Sequence, residues 1–387
     1  MYKLIFSQML DYAPQRSLRR IVERHDVEHG NQKLSAWEQF ICMSFAQLTH
    51  CSGLRDIETC LRGFSSKCYH VGLQNRVSKS TLARMNDTRP SIIFKTFCEL
   101  LIKQARKLYE NEKFIEDLKE TVYVLDSTYI KLCLSMFPWA QVGKKAGLKI
   151  HTLLDLNGSI PTFIGVSSAK FPDNKMLDQI SVEPGAFYVM DKGYVDFKRL
   201  NSIDDSRGYF VTRNKSNIKF KRISSNQAKL EKGVRLDQVG KFSGSVGKRK
   251  YTNKIRKIVF YDRETARELT FITNNFTLEA ETIALLYKKR WQIEIFFKWI
   301  KQNLRIKKFY GTSQNAVEIQ IWVAIAIYLL AAITKKKLGL TQNLQQILQF
   351  LSVSLFENVS LSQALACEPY SEFDKSKSHH PNQLSLF

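Results

Sequence analysis

Apolar residues recur along this chain with two different periods, and the change between them divides it. Up to about Lys119 they recur every three or four residues, as on helices with one face in a core. Ser35 is placed to cap a helix through Thr49 that carries Trp37, Phe40, Ile41, Phe45 and Leu48. Shorter helices follow at 54–61 and 78–85, and Pro90 opens a long one to about Tyr109. From Thr121 the pattern turns β-branched and aromatic. TVYVLDSTYI, 121–130, reads as a central strand with Asp126 inside it, and 148–154 and 160–167 as further strands about an Asp155-Leu156-Asn157-Gly158 turn. Residues 171–180 suit a helix with Pro172 near its start. The segment 186–190 is a short strand running into Asp191. Strand-like runs at 208–212, 255–261 and 269–273 enclose a Gly/Ser/Lys-rich stretch, 241–250. Helical periodicity returns at 285–304, and 321–333 is unbroken and apolar. A helical section at 341–366 precedes a polar tail, 367–387.

The expected organisation is therefore mixed α and β. It has a helical region (1–119), a β-β-β-α-β core (120–205), a β-rich insertion (206–275) and the rest of the core (276–335). A helical section (336–367) and a tail (368–387) complete it. With 387 residues, two or three domains are expected.

Charge narrows the choice of partner. Lys and Arg number 59 against 36 Asp and Glu, a net +23, which calls for a polyanion such as nucleic acid. An anionic membrane is the rival, but no N-terminal signal pattern is present, and the apolar run 321–333 is shorter than a bilayer span. Seven cysteines without a C-x-x-C pair suit reduced thiols in a cytosol. His25-Asp26-Val27-Glu28-His29 has the spacing of an inverted zincin motif. It is almost wholly charged and stops at Gly30-Asn31, so it reads as a solvated helix end. In the helical region, 54–61 and 78–85 are arranged like a helix-turn-helix reader. Their long connector leaves a helical bundle with a basic rim as the alternative.

The most informative stretch is LLYKKRWQIEIFFKWIKQNL, 285–304. It lacks Gly and Pro and reads as one helix. On a helical wheel Tyr287, Arg290, Glu294, Lys298 and Lys301 fall within a stripe roughly 80° wide. The other faces are apolar nearly all round, which predicts burial. One acid among cations in such a setting needs a partner, and a metal ion is a candidate.

Tyr287, two residues, Arg290, three residues, Glu294, six residues, Lys301 is the Y-R-E-K signature, and the chain resembles the type-four insertion-sequence transposases that carry it. The resemblance spans most of the chain, from the helical N-terminal region through the Y-R-E-K helix. It implies an RNase H-like catalytic core with an Asp-Asp-Glu triad, cast here as Asp126, Asp191 and Glu294. It also implies a helical N-terminal DNA-binding region and a basic β-rich insertion between the second Asp and the Glu. Asp126 would bridge two Mg²⁺ ions, with Mn²⁺ as a substitute, while Asp191 and Glu294 hold one each. Tyr287, Arg290, Lys298 and Lys301 would grip DNA phosphates. Water, then the freed 3′-hydroxyl, would attack in line, giving cleavage of the element's inverted-repeat ends and strand transfer. The partners implied are double-stranded DNA and a second copy of the chain in a synaptic complex, in a bacterial cytoplasm at the nucleoid. Two other readings share these residues: a catalytically silent DNA-binding regulator, and a metal-dependent nuclease without strand transfer. The competing acids Asp155, in a turn, and Asp196, beyond the strand end, read as structural, as do Lys149 and His151. Finally Gln383, Leu384, Ser385, Leu386 and Phe387 resemble the peptide by which bacterial proteins dock on the polymerase sliding clamp.

Overall fold

A computed structural model describes residues 2–25, 34–112, 115, 118–303 and 309–366. The segment 26–29 of the charged pentapeptide and the QLSLF segment lie outside the described residues.

Several helices start at a capping side chain, and an apolar stripe buries one side. Ser35 caps Ala36–Leu48 with a full capping box: its hydroxyl accepts from Glu38 N, and the Glu38 carboxylate accepts from Ser35 N. Ser78 caps Lys79–Thr88 with its hydroxyl alone, which accepts from Thr81 N. Ile92–Tyr109 buries Phe94, Phe97, Leu101 and Ala105 along one side. The apolar run 321–333 lies inside a 24-residue helix, Gln314–Lys337. That helix is long and apolar enough to cross a membrane, yet 94% of its most apolar stretch is buried inside the protein. It is thus the central core helix, packed against Ile92–Tyr109, Ala36–Leu48, Lys79–Thr88 and Leu344–Ser354.

Between the helical ends lies one ten-stranded sheet among the described residues. Its strands are β1 (Val122–Leu132), β2 (Gln141–Val142), β3 (Lys145–Asp155), β4 (Ile160–Ser168), β5 (Phe187–Met190), β6 (Tyr209–Arg213), β7 (Phe220–Ser225), β8 (Val234–Phe242), β9 (Ile255–Asp262) and β10 (Arg267–Thr273). The spatial order is β2-β3-β1-β5-β6-β10-β9-β8-β7, with β4 sharing the outer edge of β3 with β2. β1 and β3 are antiparallel, while β5 runs parallel to β1 and β6 parallel to β5. β6, by sequence the first strand of the insertion, instead continues the parallel part of the sheet. β10, β9, β8 and β7 then extend the same sheet antiparallel. One large core joins the N-terminal helices, the central helix and one sheet face, and a smaller core fills the other face with Tyr123, Leu125, Tyr188 and Met190.

Several expectations need correcting. The segment 171–180 is not an α-helix but a 3₁₀ turn, Asp173–Gln179. Lys149 Nζ and Ser127 Oγ both bind Asp173 Oδ1, at 3.0 and 2.9 Å, and hold its start against the sheet. β7 and β8 escape a reading by periodicity because β7, FKRISS, is exposed and mostly polar, and β8 carries Asp237 and Gln238. The stretch 285–304 is not one helix but two, Ala280–Lys288 and Trp291–Asn303, separated at Lys289 and Arg290. Nor is it buried all round: Leu285, Trp291 and Ile295 are exposed, while Leu286, Ile293, Phe296, Phe297 and Ile300 face the core.

Candidate functional site

β1 and β5 bring two of the acids together. Leu125 pairs with Met190 in parallel register. Asp126 and Asp191 each follow that pair by one residue, so their backbones start about 5 Å apart, one strand spacing. Because Leu125 belongs to the smaller core, Asp126 projects to the opposite face. On that face the helix Trp291–Asn303 packs, with Phe296 beside Thr128, Ile150 and Thr152.

The break at Lys289–Arg290 supplies the rest. Arg290 N bonds to Tyr287 O at 3.0 Å and Ile293 N to Arg290 O at 3.2 Å, a tightened three-residue spacing in a segment with no Gly or Pro. The break coincides with the residue that makes the tertiary contacts. Arg290 Nη1 donates to Asp126 Oδ2 at 2.8 Å and Nη2 to Glu294 Oε1 at 2.6 Å. One turn earlier, the Tyr287 hydroxyl donates to Asp191 Oδ1 at 3.2 Å, with its ring against Phe271 and the Arg290 guanidinium 5.9 Å over its face. All three acids, Tyr287 and Arg290 therefore meet in one place. Lys298 is exposed further along the same helix, and Lys301 is half-buried.

The electrostatics follow from crowding. Burial pushes the Asp126 carboxyl up to about 6. The Ser127 amide and Arg290 pull it down, and the neighbouring Asp191 and Glu294 push it up again. Burial also raises the Tyr287 phenol, to about 12, with Asp191 adding to it, so it stays a protonated donor at neutral pH. Burial works against the Arg290 charge, but its bonds to Glu294 and the nearby carboxylates hold it cationic.

By donor chemistry the three carboxylates fit a hard divalent cation, which takes oxygen ligands. Their present arrangement is not that of a metal centre: among the described residues no group of three His, Cys, Asp or Glu side chains could hold a metal ion. The reason is visible in the contacts. The Arg290 guanidinium stands between Asp126 and Glu294, and Asp191 is engaged by Tyr287. Arg290 thus takes one oxygen of Asp126 and one of Glu294, and Tyr287 one of Asp191.

An open cleft of about 1020 Å³ leads away from this cluster. Asp191, Arg213, Tyr287, Arg290 and Trp291 line its inner end, and Tyr261, Arg263 and Arg267 of the β9–β10 hairpin its outer wall. Arg213, which no sequence motif marks, closes β6 and lies near enough to Tyr287 to act on its phenol. Trp291 lies on the apolar faces that the pattern predicts to be buried, yet it is exposed. Its 60% exposure is set by the helix break, which no local pattern announces.

Behind β1, on the other face, Ser127, Lys149 and His151 surround Asp173. His151 is wholly buried and shares a 2.9 Å hydrogen bond with Ser167 Oγ. Burial, against the pull of Asp173 at 3.8 Å, pushes the imidazole down to about 4. The folded protein keeps it neutral where the unfolded chain takes a proton. Its contribution to stability is therefore full above about pH 6.5 and is lost as the pH falls toward 4. Asp126 and Asp155, both raised to about 6 by burial, work the other way in that window. The difference between wild type and His151→Gln isolates the imidazole. The variant should shed up to about 1.4 kcal/mol of acid loss per pH unit between pH 6.5 and 4, read from urea midpoints. Parallel curves for the two proteins would refute this account.

The competing acids have structural duties. Asp155 Oδ1 accepts from Asn157 N at 2.9 Å, and Asp196 Oδ1 accepts from Arg199 N at the start of the helix Phe197–Asp205.

Residues 117–330 match the family described as transposase DDE domain, and residues 2–74 match a domain of unknown function, DUF4372. A protein of Sinorhizobium fredii named as transposase y4zB is 30% identical over 312 residues, covering 79% of this chain and 85% of its own length. A protein of Geobacillus stearothermophilus named as a transposase for the insertion sequence element IS5377 is 28% identical over 272 residues, 66% of this chain and 67% of its own. A Synechocystis protein named as a transposase for the element IS4SA is 26% identical over 297 residues, 73% and 80% of the two chains.

Proposed function

The chain belongs to the DDE transposase family, and from that premise we propose that it binds the inverted-repeat ends of an insertion sequence, cuts them and joins them to target DNA. The observation that carries the reading is the convergence of Asp126, Asp191 and Glu294 with Tyr287 and Arg290, from three separate parts of the chain, at one end of two parallel strands. Three antiparallel strands, β4-β3-β1, followed by two parallel ones, β5 and β6, support an RNase H-like core of the type-four insertion-sequence group.

In this reading Asp126, Asp191 and Glu294 hold the divalent ions, Mg²⁺ or Mn²⁺. When bound, such ions lower the pKa of attacking water and stabilise the leaving oxygen of an in-line displacement. The protein's own groups do the rest. Asp126 and Asp191 are fixed by the sheet, so two of the donors need no ordering. Arg290, which bridges Asp126 and Glu294 with one bond to each, can exchange those carboxylates for phosphate oxygens of the bound strand, which its planar fork can hold bidentately. Tyr287 keeps its proton and donates to Asp191 or to a phosphate. Lys298 and Lys301 extend the cationic path. The basic surface of the insertion, with Lys219, Lys221, Arg222 and Lys248, gives the flanking duplex further phosphate contacts.

The test is cleavage of duplexes carrying the element's own ends, with Mg²⁺ and with a chelator, scoring strand joining separately. Mg²⁺-dependent nicking followed by joining is expected. Nicking without joining would leave a nuclease, and end binding without nicking a regulator.

We further propose that the chain works on DNA as a homodimer at the bacterial nucleoid, and that QLSLF docks on the polymerase sliding clamp. The support for docking is the residue pattern itself: a glutamine for the rim of a pocket, and Leu384, Leu386 and Phe387 for its apolar interior. A 375–387 peptide should bind a bacterial clamp at micromolar concentration, and Leu386→Ala with Phe387→Ala should remove that binding. Equal binding by both peptides, or by neither, would end the idea.

A further inference from the structure

The N-terminal helices carry a charge arrangement that net charge alone does not reveal. Several of their described acids are committed, while Glu23, on the helix Gln15–Arg24 itself, stands exposed among the arginines. Asp11 pairs with Lys3, Glu38 is buried in the capping box, Asp56 accepts from Ser52 N, and Glu58 accepts from Lys79 N. The arginines are not. Arg16, Arg19, Arg20 and Arg24 stand exposed on the helix Gln15–Arg24, and among the described residues none has a carboxylate partner. Arg16, Arg20 and Arg24 recur every four residues and form one stripe.

That helix forms one side of a groove. A hollow of about 340 Å³ lies between it and the turn at Gly72–Asn75, lined by Arg19, Gln74 and Asn75. A second of about 340 Å³ continues on the far side of the same two amides, toward Arg62 and Arg76. Gln74 and Asn75 thus sit exposed in the middle, with cations on both sides. The turn that presents them is held from behind. Gly72 adopts φ +92°, where a side chain would be strained, and Glu38 Oε1 accepts from Gln74 N at 3.3 Å. The backbone is fixed while both side-chain amides are left free to face a ligand.

Amides offering a donor and an acceptor together, flanked by unpaired arginines, match a duplex: arginine for phosphate, Asn or Gln for the N6 and N7 edge of adenine. We propose that this groove is the DNA-reading face of the chain, with Arg19 on one side and Arg62 and Arg76 on the other holding phosphates, while Gln74 and Asn75 read bases. The inference rests on the transposase reading and moves base recognition from the helix Lys79–Thr88 to the turn before it.

The experiment measures binding of the full chain by anisotropy to a duplex carrying one element end and to a scrambled duplex, across a salt series. Arg19→Ala with Arg62→Ala should weaken both duplexes by the same factor and reduce the slope of log affinity against log salt by about 2. Gln74→Ala with Asn75→Ala should cost about tenfold or more on the end duplex and nothing on the scrambled one. Lys79→Ala with Arg84→Ala should lower affinity without changing the preference. If wild type prefers the end duplex and the amide pair keeps that preference, this proposal is wrong and the transposase reading stands. If wild type shows no preference, end recognition itself fails and both fall.

Discussion

Asp126→Asn, Asp191→Asn and Glu294→Gln are each expected to abolish end cleavage, by on the order of a thousandfold or more, while end binding stays near wild type. Each change keeps the side chain's size and removes one anionic oxygen donor. Ions in such a site contribute several kcal/mol to stabilising the charge of the transition state, and three orders of magnitude correspond to about 4 kcal/mol. The fold should tolerate all three changes, because the acids are only partly buried and their neighbours are polar. Asp126 and Glu294 lose a charged partner in Arg290, which keeps the other one. Asp155→Asn and Asp196→Asn are the controls, since both acids serve backbone amides and neither touches the cluster. The measurement is single-turnover cleavage of an end duplex in Mg²⁺, beside anisotropy on the same duplex. If any of the three variants cuts at near wild-type rate, that residue is not a metal ligand. Loss of binding together with cleavage would instead make the acids part of the DNA-holding fold.

The residues that converge were legible in the sequence because each announces itself locally. Asp126 interrupts an apolar strand, Asp191 ends one, and Tyr287, Arg290, Glu294 and Lys301 keep a recognisable spacing. What the sequence does not carry is how that spacing is used. A helical wheel places Tyr287 and Arg290 on one stripe. In the structure they belong to different turns about a break, so one reaches Asp191 and the other Asp126. The break has no local sequence cause, and neither does the exposure of Trp291 that follows from it. β7 and β8 were missed for a related reason. Strands at the end of a sheet, open on one face, need no alternation strong enough to be seen, and β8 owes its place partly to a buried ion pair whose partner lies 19 residues away.

That ion pair is where the largest loss of stability is expected. Asp237 on β8 and Arg256 on β9 are 6% and 5% exposed and joined by two parallel bonds, Nε to Oδ1 at 2.9 Å and Nη2 to Oδ2 at 2.8 Å. Burial alone would raise the Asp237 carboxyl, but the bonds from Arg256 and Asn226 outweigh it and hold the group below its ordinary range. Arg256 Nη1 also donates to Leu278 O at 2.5 Å, just ahead of the helix Ala280–Lys288 that ends beside Tyr287. Asp237→Ala strands a buried guanidinium and should cost about 3–5 kcal/mol. Asp237→Leu with Arg256→Met removes both charges and should recover most of that loss, since an apolar pair of similar volume replaces a pair whose attraction is largely offset by desolvation. The same double change deletes the anchor on Leu278. It should therefore restore the urea midpoint but not cleavage, because the helix start that positions Tyr287 and Arg290 is no longer held. A double variant that regains both stability and activity would show that the insertion supports the site by its bulk alone. A single Asp237→Ala variant with a wild-type midpoint would show that the pair contributes nothing to hold β8 on β9.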